Sequence, residues 1–171
     1  LIFDVTHYFA PNKVISGEVI FNSLMYQHIL AFINSFLLCH EKNKIVLLIA
    51  SPFDNTIVYP ASGSNTSLST TQHSTDTINL INILIKVKIN ELIEKWNTKV
   101  SNNEQYQHIL LAQALSKVLC HINRQQNQST SIFHSRILIL SYAKDNHQHY
   151  ISIMNTIFTA KAMNIAIDAC I

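Results

Sequence analysis

The chain has 171 residues, 48% of them apolar and only 13% charged, with a net charge of +2 and nine histidines. That length suits one domain with a substantial core, and the charge balance, with no Lys/Arg cluster along the chain, gives no indication of direct nucleic-acid binding. The longest apolar runs, "KIVLLIA" at 44 to 50 and "RILIL" at 136 to 140, fall far short of the roughly 20 residues that span a bilayer, so no membrane association is expected. Three cysteines, Cys39, Cys120 and Cys170, are odd in number, far apart and set in apolar segments, the pattern of reduced core cysteines in an intracellular protein.

The first segment, "LIFDV", reads as a buried strand, and residues 17 to 43 as a long helix with Ser16 or Gly17 near its cap. Its apolar positions are Val19, Ile20, Leu24, Ile29, Phe32, Ile33 and Phe36. "KIVLLIAS" (44 to 51) is a continuous apolar strand ending before Pro52, and "NTIVYP" (55 to 60) a short strand closed by Pro60. A tight connection makes these two neighbours. Residues 61 to 76 are almost wholly small and polar, which predicts a surface loop. Residues 77 to 99 then carry Ile78, Ile81, Ile85, Ile89, Leu92 and Trp96 at helical spacing, with Asp76 or Thr77 as cap.

A second helix follows at 103 to 124, striped by Tyr106, Ile109, Leu110, Ala114, Leu115, Val118, Leu119 and Ile122 and closed by a polar turn at 125 to 131. "SRILILSY" (135 to 142) is a central-strand run, residues 146 to 163 a helix and "NIAIDACI" (164 to 171) a last strand. The alternation predicts an α/β fold: a mostly parallel, Rossmann-like sheet with helices on both faces and any site at the carboxyl ends of the strands, where Asp4 and Tyr142 lie. The chain opens without Met and stops on a strand-like run, so we expect a fragment.

With only Gly17 and Gly63 in the chain, neither a G-x-G-x-x-G turn nor a phosphate-cradling loop can be written on it. No G-x-S-x-G, H-E-x-x-H or C-x-x-C occurs either. His147 and His149 stand two apart at a loop-to-helix junction and read as solvated histidines. The adjacent pairs Cys39/His40 and Cys120/His121 diverge by about 100° on a helix and make no dyad. One constellation remains. Asp4, Thr6 and Tyr8 alternate behind a buried strand, a spacing that can aim three oxygens at one divalent cation.

The block "SRILIL … MNTIFTA … NIAIDAC", preceded by "LLAQALSKVLCHINR", "IVYP", "KIVLLIAS" and "LIFDV", resembles the smaller von Willebrand A-domain subunits of the transcription and DNA repair factor TFIIH. The resemblance covers nearly the whole chain, apart from the loop at 61 to 76 and the stretch around 98 to 105. It implies a single von Willebrand factor A-like domain over 1–171, truncated at its C-terminal end, with the family's C-terminal zinc module absent and no cofactor in this part. Metal-binding A domains use D-x-S-x-S, a Thr before a helix start and an Asp after the central strand. Here Asp4 and Thr6 can stand at the first two positions, while Tyr8, Ile109 and Tyr142 fall where the other ligands belong. Three of five ligands are lost, so the resemblance implies a relic of the site, with Asp4 capping backbone donors or lying in a solvated crevice.

By the same resemblance the chain is a non-catalytic scaffold in the nucleus. It would act in RNA polymerase II initiation and nucleotide excision repair, binding the zinc RING-like region of the larger A-domain subunit beside other TFIIH core subunits. The contrasting reading is a metal-dependent A domain that takes an acidic ligand through a cation over Asp4 and Thr6. A divergent hydrolase-type enzyme is the weakest reading, since no nucleophile with a nearby base stands out.

Overall fold

The computed structural model describes residues 1–4, 24–40, 42–51, 53–60, 75–101, 111–128, 134–141 and 150–170. In chain order they form β1 (Ile2–Asp4), α1 (Leu24–Cys39), β2 (Leu47–Ala50), β3 (Asn55–Tyr59), α2 (Thr75–Ser101), α3 (Leu111–Gln128), β4 (Arg136–Leu140), α4 (Tyr150–Ala162) and β5 (Ala166–Cys170). The five strands make one sheet in the order β3-β2-β1-β4-β5. β1 pairs in parallel with β2 on one side and β4 on the other, and β4 pairs in parallel with β5. The connection between β2 and β3, residues 51 to 54, is far too short for a parallel crossover, so β3 returns antiparallel beside β2.

Burial follows position in the sheet. Every residue of β1 and β2 is buried, as expected for strands covered on both sides. β4 alternates, with Ile137 and Ile139 buried, and the edge strand β5 carries Ala166, Ala169 and Cys170 exposed. Between these two strands Arg136 donates from Nε and Nη2 to the two carboxylate oxygens of Asp168. The register sets Leu138 opposite Asp168, so the pair is a diagonal cross-strand contact. The hydrogen bonds from Arg136 hold the Asp168 carboxyl below its ordinary range.

The chain divides into two compact units. One comprises Leu1–Phe9, Leu48–Thr56 and Gln105–Ile171; within it α3 packs on β1 and on α4, and α4 packs on β5. α3 buries Ala114, Leu115, Val118 and Leu119, four of the predicted stripe positions. The helix runs on to Gln128, through residues read as a turn, because Gln is a good helix former and neither Gly nor Pro intervenes. Tyr106, Ile109 and Leu110 lie outside the described residues.

α4 ends in a Schellman motif. Asn164 takes φ of 55°, its N–H donates to Lys161 O at 3.0 Å, and Ile165 N–H donates back to Ala160 O at 2.9 Å. Ile165 and Ala160 are both buried, which supplies the apolar contact that accompanies this cap. The chain has only two glycines and spends neither here; Asn is the next residue that tolerates the left-handed region.

The other unit comprises Ala10–Leu47 and Ile57–Glu104. In α1, Tyr26, Ile29, Ile33 and Leu37 form the buried stripe. Phe32 and Phe36, predicted on the same apolar face, are instead exposed at its margin and stack on each other with centroids 6.2 Å apart. Each lies one residue from a buried position, and rotation by about 100° carries it to the helix flank. Burial pushes the Tyr26 hydroxyl up to about 12. α2 starts two residues ahead of the predicted boundary and buries Ile78, Ile81, Ile85, Ile89, Leu92, Ile93 and Trp96. Its many β-branched residues are poor helix formers, and burial of this stripe overrides that propensity. No helix among the described residues is long and apolar enough to cross a membrane.

Two stability outcomes follow from these contacts. Trp96 is the chain's single tryptophan and is 2% exposed, so Trp96→Ala is expected to cost about 3–5 kcal/mol in denaturant unfolding; a loss below about 1 kcal/mol would show that the site collapses around the missing ring. At the cap, Asn164→Ala is expected to lower stability by about 1 kcal/mol and Asn164→Gly to preserve or raise it, whereas equal effects of the two would remove the left-handed cap as their cause.

Candidate functional site

The carboxyl ends of β2, β1 and β4 lie side by side, and the register fixes which residues meet there. Asp4 pairs with Ala50, and Phe3 pairs with Leu140. Asp4 is therefore level with Ala50 on one side and with Ser141, the residue after β4, on the other, and Ser51 lies one residue beyond Ala50. Asp4 is 1% exposed, so its carboxylate has left water and must find donors within the protein. Ser141 supplies one, its Oγ donating to Asp4 Oδ2 at 2.7 Å across 137 residues of sequence. The Ser141 N–H in turn donates to Cys170 O at 3.0 Å, which ties the same residue to β5.

Ser51, equally buried, turns the other way. Its Oγ donates to Asp54 O at 2.8 Å and accepts from Asp54 N at 3.0 Å, closing the short connection into β3. The Asp54 side chain accepts from Asn55 N at 2.7 Å and from Thr56 Oγ1 at 3.1 Å. From α3, Lys117 Nζ reaches the carbonyl of Asn55. The contacts of Ser51 and Asp54 are local turn chemistry, and that of Lys117 ties α3 to the start of β3. Together they occupy the polar atoms of the β2–β3 connection with structural tasks.

Of the five positions singled out in the sequence, the structure describes Asp4 alone; Thr6, Tyr8, Ile109 and Tyr142 lie outside the described residues, as do His147 and His149. Asp4 stands at the carboxyl end of the central strand, where the sequence puts it, but in no solvated crevice: burial between β2 and β4 excludes water, and Ser141 takes its place. Ser141 escaped the sequence reading, which weighed its neighbour Tyr142. No sequence signal marks it: the pairing of Phe3 with Leu140 is what brings the first residue past β4 level with Asp4.

No group of three or more His, Cys, Asp or Glu suited to a metal gathers among the described residues. The cysteines are free, but all three are exposed and none belongs to the core. Cys39 and Cys120 ride on helix surfaces away from the buried stripes, and Cys170 sits on the edge strand. His40 accepts the Lys42 N–H on Nδ1 at 3.0 Å. His121 is half-buried, and desolvation followed by the nearby Arg124 charge depresses its pKa. Neither Cys/His pair forms a nucleophile with its base.

Ser141→Ala removes a donor from a buried carboxylate, so an equilibrium stability loss of about 1–3 kcal/mol is expected. In a cycle with Asp4→Ala the two losses should fail to add by at least about 0.5 kcal/mol. Strict additivity would mean that the pair contributes nothing as a pair.

The family profile described as transcription factor Tfb4 matches residues 11–171. General transcription factor IIH subunit 3 of Dictyostelium discoideum is 25% identical over 162 residues, covering 88% of this chain and 42% of that protein. General transcription and DNA repair factor IIH subunit TFB4 of Arabidopsis thaliana is 26% identical over 146 residues, 84% of this chain and 48% of that protein. Its Kluyveromyces lactis counterpart is 31% identical over 153 residues, 82% and 43%. The chain thus spans less than half the length of these curated relatives. Among solved structures, the crystal structure of the TFIIH p34 N-terminal domain aligns with a TM-score of 0.62 at 20% identity, over 98% of this chain and 77% of that one. The shared architecture is the α/β fold of von Willebrand A type, and the profile match over residues 11–171 makes this chain a member of the transcription factor Tfb4 family.

Proposed function

We propose that the chain is a non-catalytic structural subunit of the TFIIH core, acting in the nucleus in RNA polymerase II initiation and nucleotide excision repair. Its A-type domain holds the larger A-domain subunit through that protein's zinc RING-like region. The family match over residues 11–171 carries this reading. The donor set supports it. A Mg²⁺ ion asks for a near-octahedral shell of oxygens; Ile109 offers no side-chain oxygen, and phenols stand at Tyr8 and Tyr142 where a hydroxyl and a carboxylate would serve. The one carboxylate of the set, Asp4, is engaged by Ser141. Those residues do not fit a resident cation, and partner binding is proposed to proceed without one.

Interfaces of this kind draw their specificity from a few desolvated apolar or aromatic anchors. The zinc region of the larger A-domain subunit should therefore be captured by this chain equally well in buffer with Mg²⁺ and with a chelator that spares the RING-like zinc. Capture that requires Mg²⁺ and is lost in Asp4→Ala would instead favour a cation over Asp4 and Thr6. No capture under either condition, with both proteins folded, would overturn the scaffold reading.

A further inference from the structure

α2 is apolar on two opposite faces. One buries Ile78, Ile81, Ile85 and Ile89, while the other presents Leu80, Ile83, Leu84 and Val87, each between 51% and 58% exposed. Their spacing of three, four and seven residues lines them along two turns of one helix face. A helix hydrophobic all round belongs in an interior, and an apolar stripe of this kind left in water marks an interaction surface.

Size and charge narrow the occupant. Four aliphatic side chains about half exposed offer on the order of 400 Å², well short of the roughly 800 Å² per partner that a free-standing dimer buries. A second copy of the chain is therefore a poor fit. One helix laid along the stripe, held within a larger assembly, suits the area. Anchors at i, i+3, i+4 and i+7 are the pattern by which amphipathic helices recognise one another. One to two turns further along the same face stand Glu91 and Glu94, both exposed. Glu91 is tied to Lys88 at 2.7 Å, and among the described residues Glu94 has no ion pair. Complementarity then asks for a Lys or Arg beyond the partner's apolar anchors.

We propose that the outer face of α2 is a docking surface for an amphipathic helix of another subunit. Leu80, Ile83, Leu84 and Val87 receive its apolar stripe, and Glu94 receives a basic residue at the stripe's end. The proposal rests on the scaffold reading above and names where a partner sits.

The test uses the full chain reconstituted with the remaining TFIIH core subunits of its own organism, with a photoreactive residue in place of Leu84 and, as control, of Ser116 on the exposed face of α3. Cross-links from position 84 should concentrate on one helical segment of another subunit that carries an i, i+3 or i+4, i+7 apolar pattern followed by Lys or Arg. Glu94→Lys should lower recovery of that subunit by about tenfold, and reversing the charge of the identified basic residue should restore it. Melting of Glu94→Lys alone should match the parent chain, separating a lost contact from a lost fold. Cross-links confined to a second copy or to the chain itself, or no more abundant than those from position 116, would overturn the proposal while leaving the scaffold reading standing. Failure of the unmodified chain to assemble at all would overturn the scaffold reading and the docking site with it.

Discussion

Everything near the candidate site turns on one buried carboxylate. β1 is three residues long, wholly buried and paired on both edges, and it ends on a residue that prefers water. Burying an ionised group is costly unless donors meet it. The fold meets this one with the hydroxyl that the β4 register delivers to the same level. Sheet register and site chemistry are thus a single constraint: a one-residue slip of β4 would move Ser141 away from Asp4 and turn the β4 side chains to opposite faces.

That constraint gives the carboxylate at the end of β1 a structural task in this A-type frame. In a cation site the strand-end carboxylate points at an ion whose remaining shell comes from other loops. Here Asp4 accepts from Ser141 Oγ, while the polar groups of the β2–β3 connection are engaged with one another, Ser51 with Asp54 and Asp54 with Asn55 and Thr56. The family match places the chain in the transcription factor Tfb4 family, whose curated relatives are named as subunits of a general transcription and DNA repair factor. The two-faced α2 extends the same logic: one stripe belongs to its own unit and the other waits for another chain.

The sheet was legible because its central strands are unbroken apolar runs. "KIVLLIA" and "RILIL" allow little but buried strands, and the four-residue gap between β2 and β3 forces them together. Helical spacing likewise gave the buried stripe of α2 down to Trp96. Other features depend on what stands opposite a residue in space. Periodicity assigns Phe32 and Phe36 to an apolar face without saying where that face ends. Cysteines in apolar segments read as core, yet a helix beside a core still has a side away from it, and Cys39 and Cys120 lie there. The second stripe of α2 was hidden by the first, since "TINLINILIKVKI" is apolar at almost every turn. At the site, Asp4 was readable as a strand-end acid, whereas its partner could be found only from the pairing of β1 with β4. Thr6 and Tyr8 were legible from their alternation behind β1 and Tyr142 from its place at the end of a strand-like run, whereas Ile109 rests on the resemblance; all four lie outside the described residues.

The most direct test of the central claim, that Asp4 is a structural carboxylate and no cation ligand, is the thermal melting of the folded chain titrated with Mg²⁺ and Mn²⁺ beside Asp4→Asn. A structural Asp4 predicts that neither ion moves the midpoint of either protein by more than a screening effect common to both. A saturable rise in the parent that Asp4→Asn abolishes would mean that the ion binds the native state through Asp4, and would contradict it.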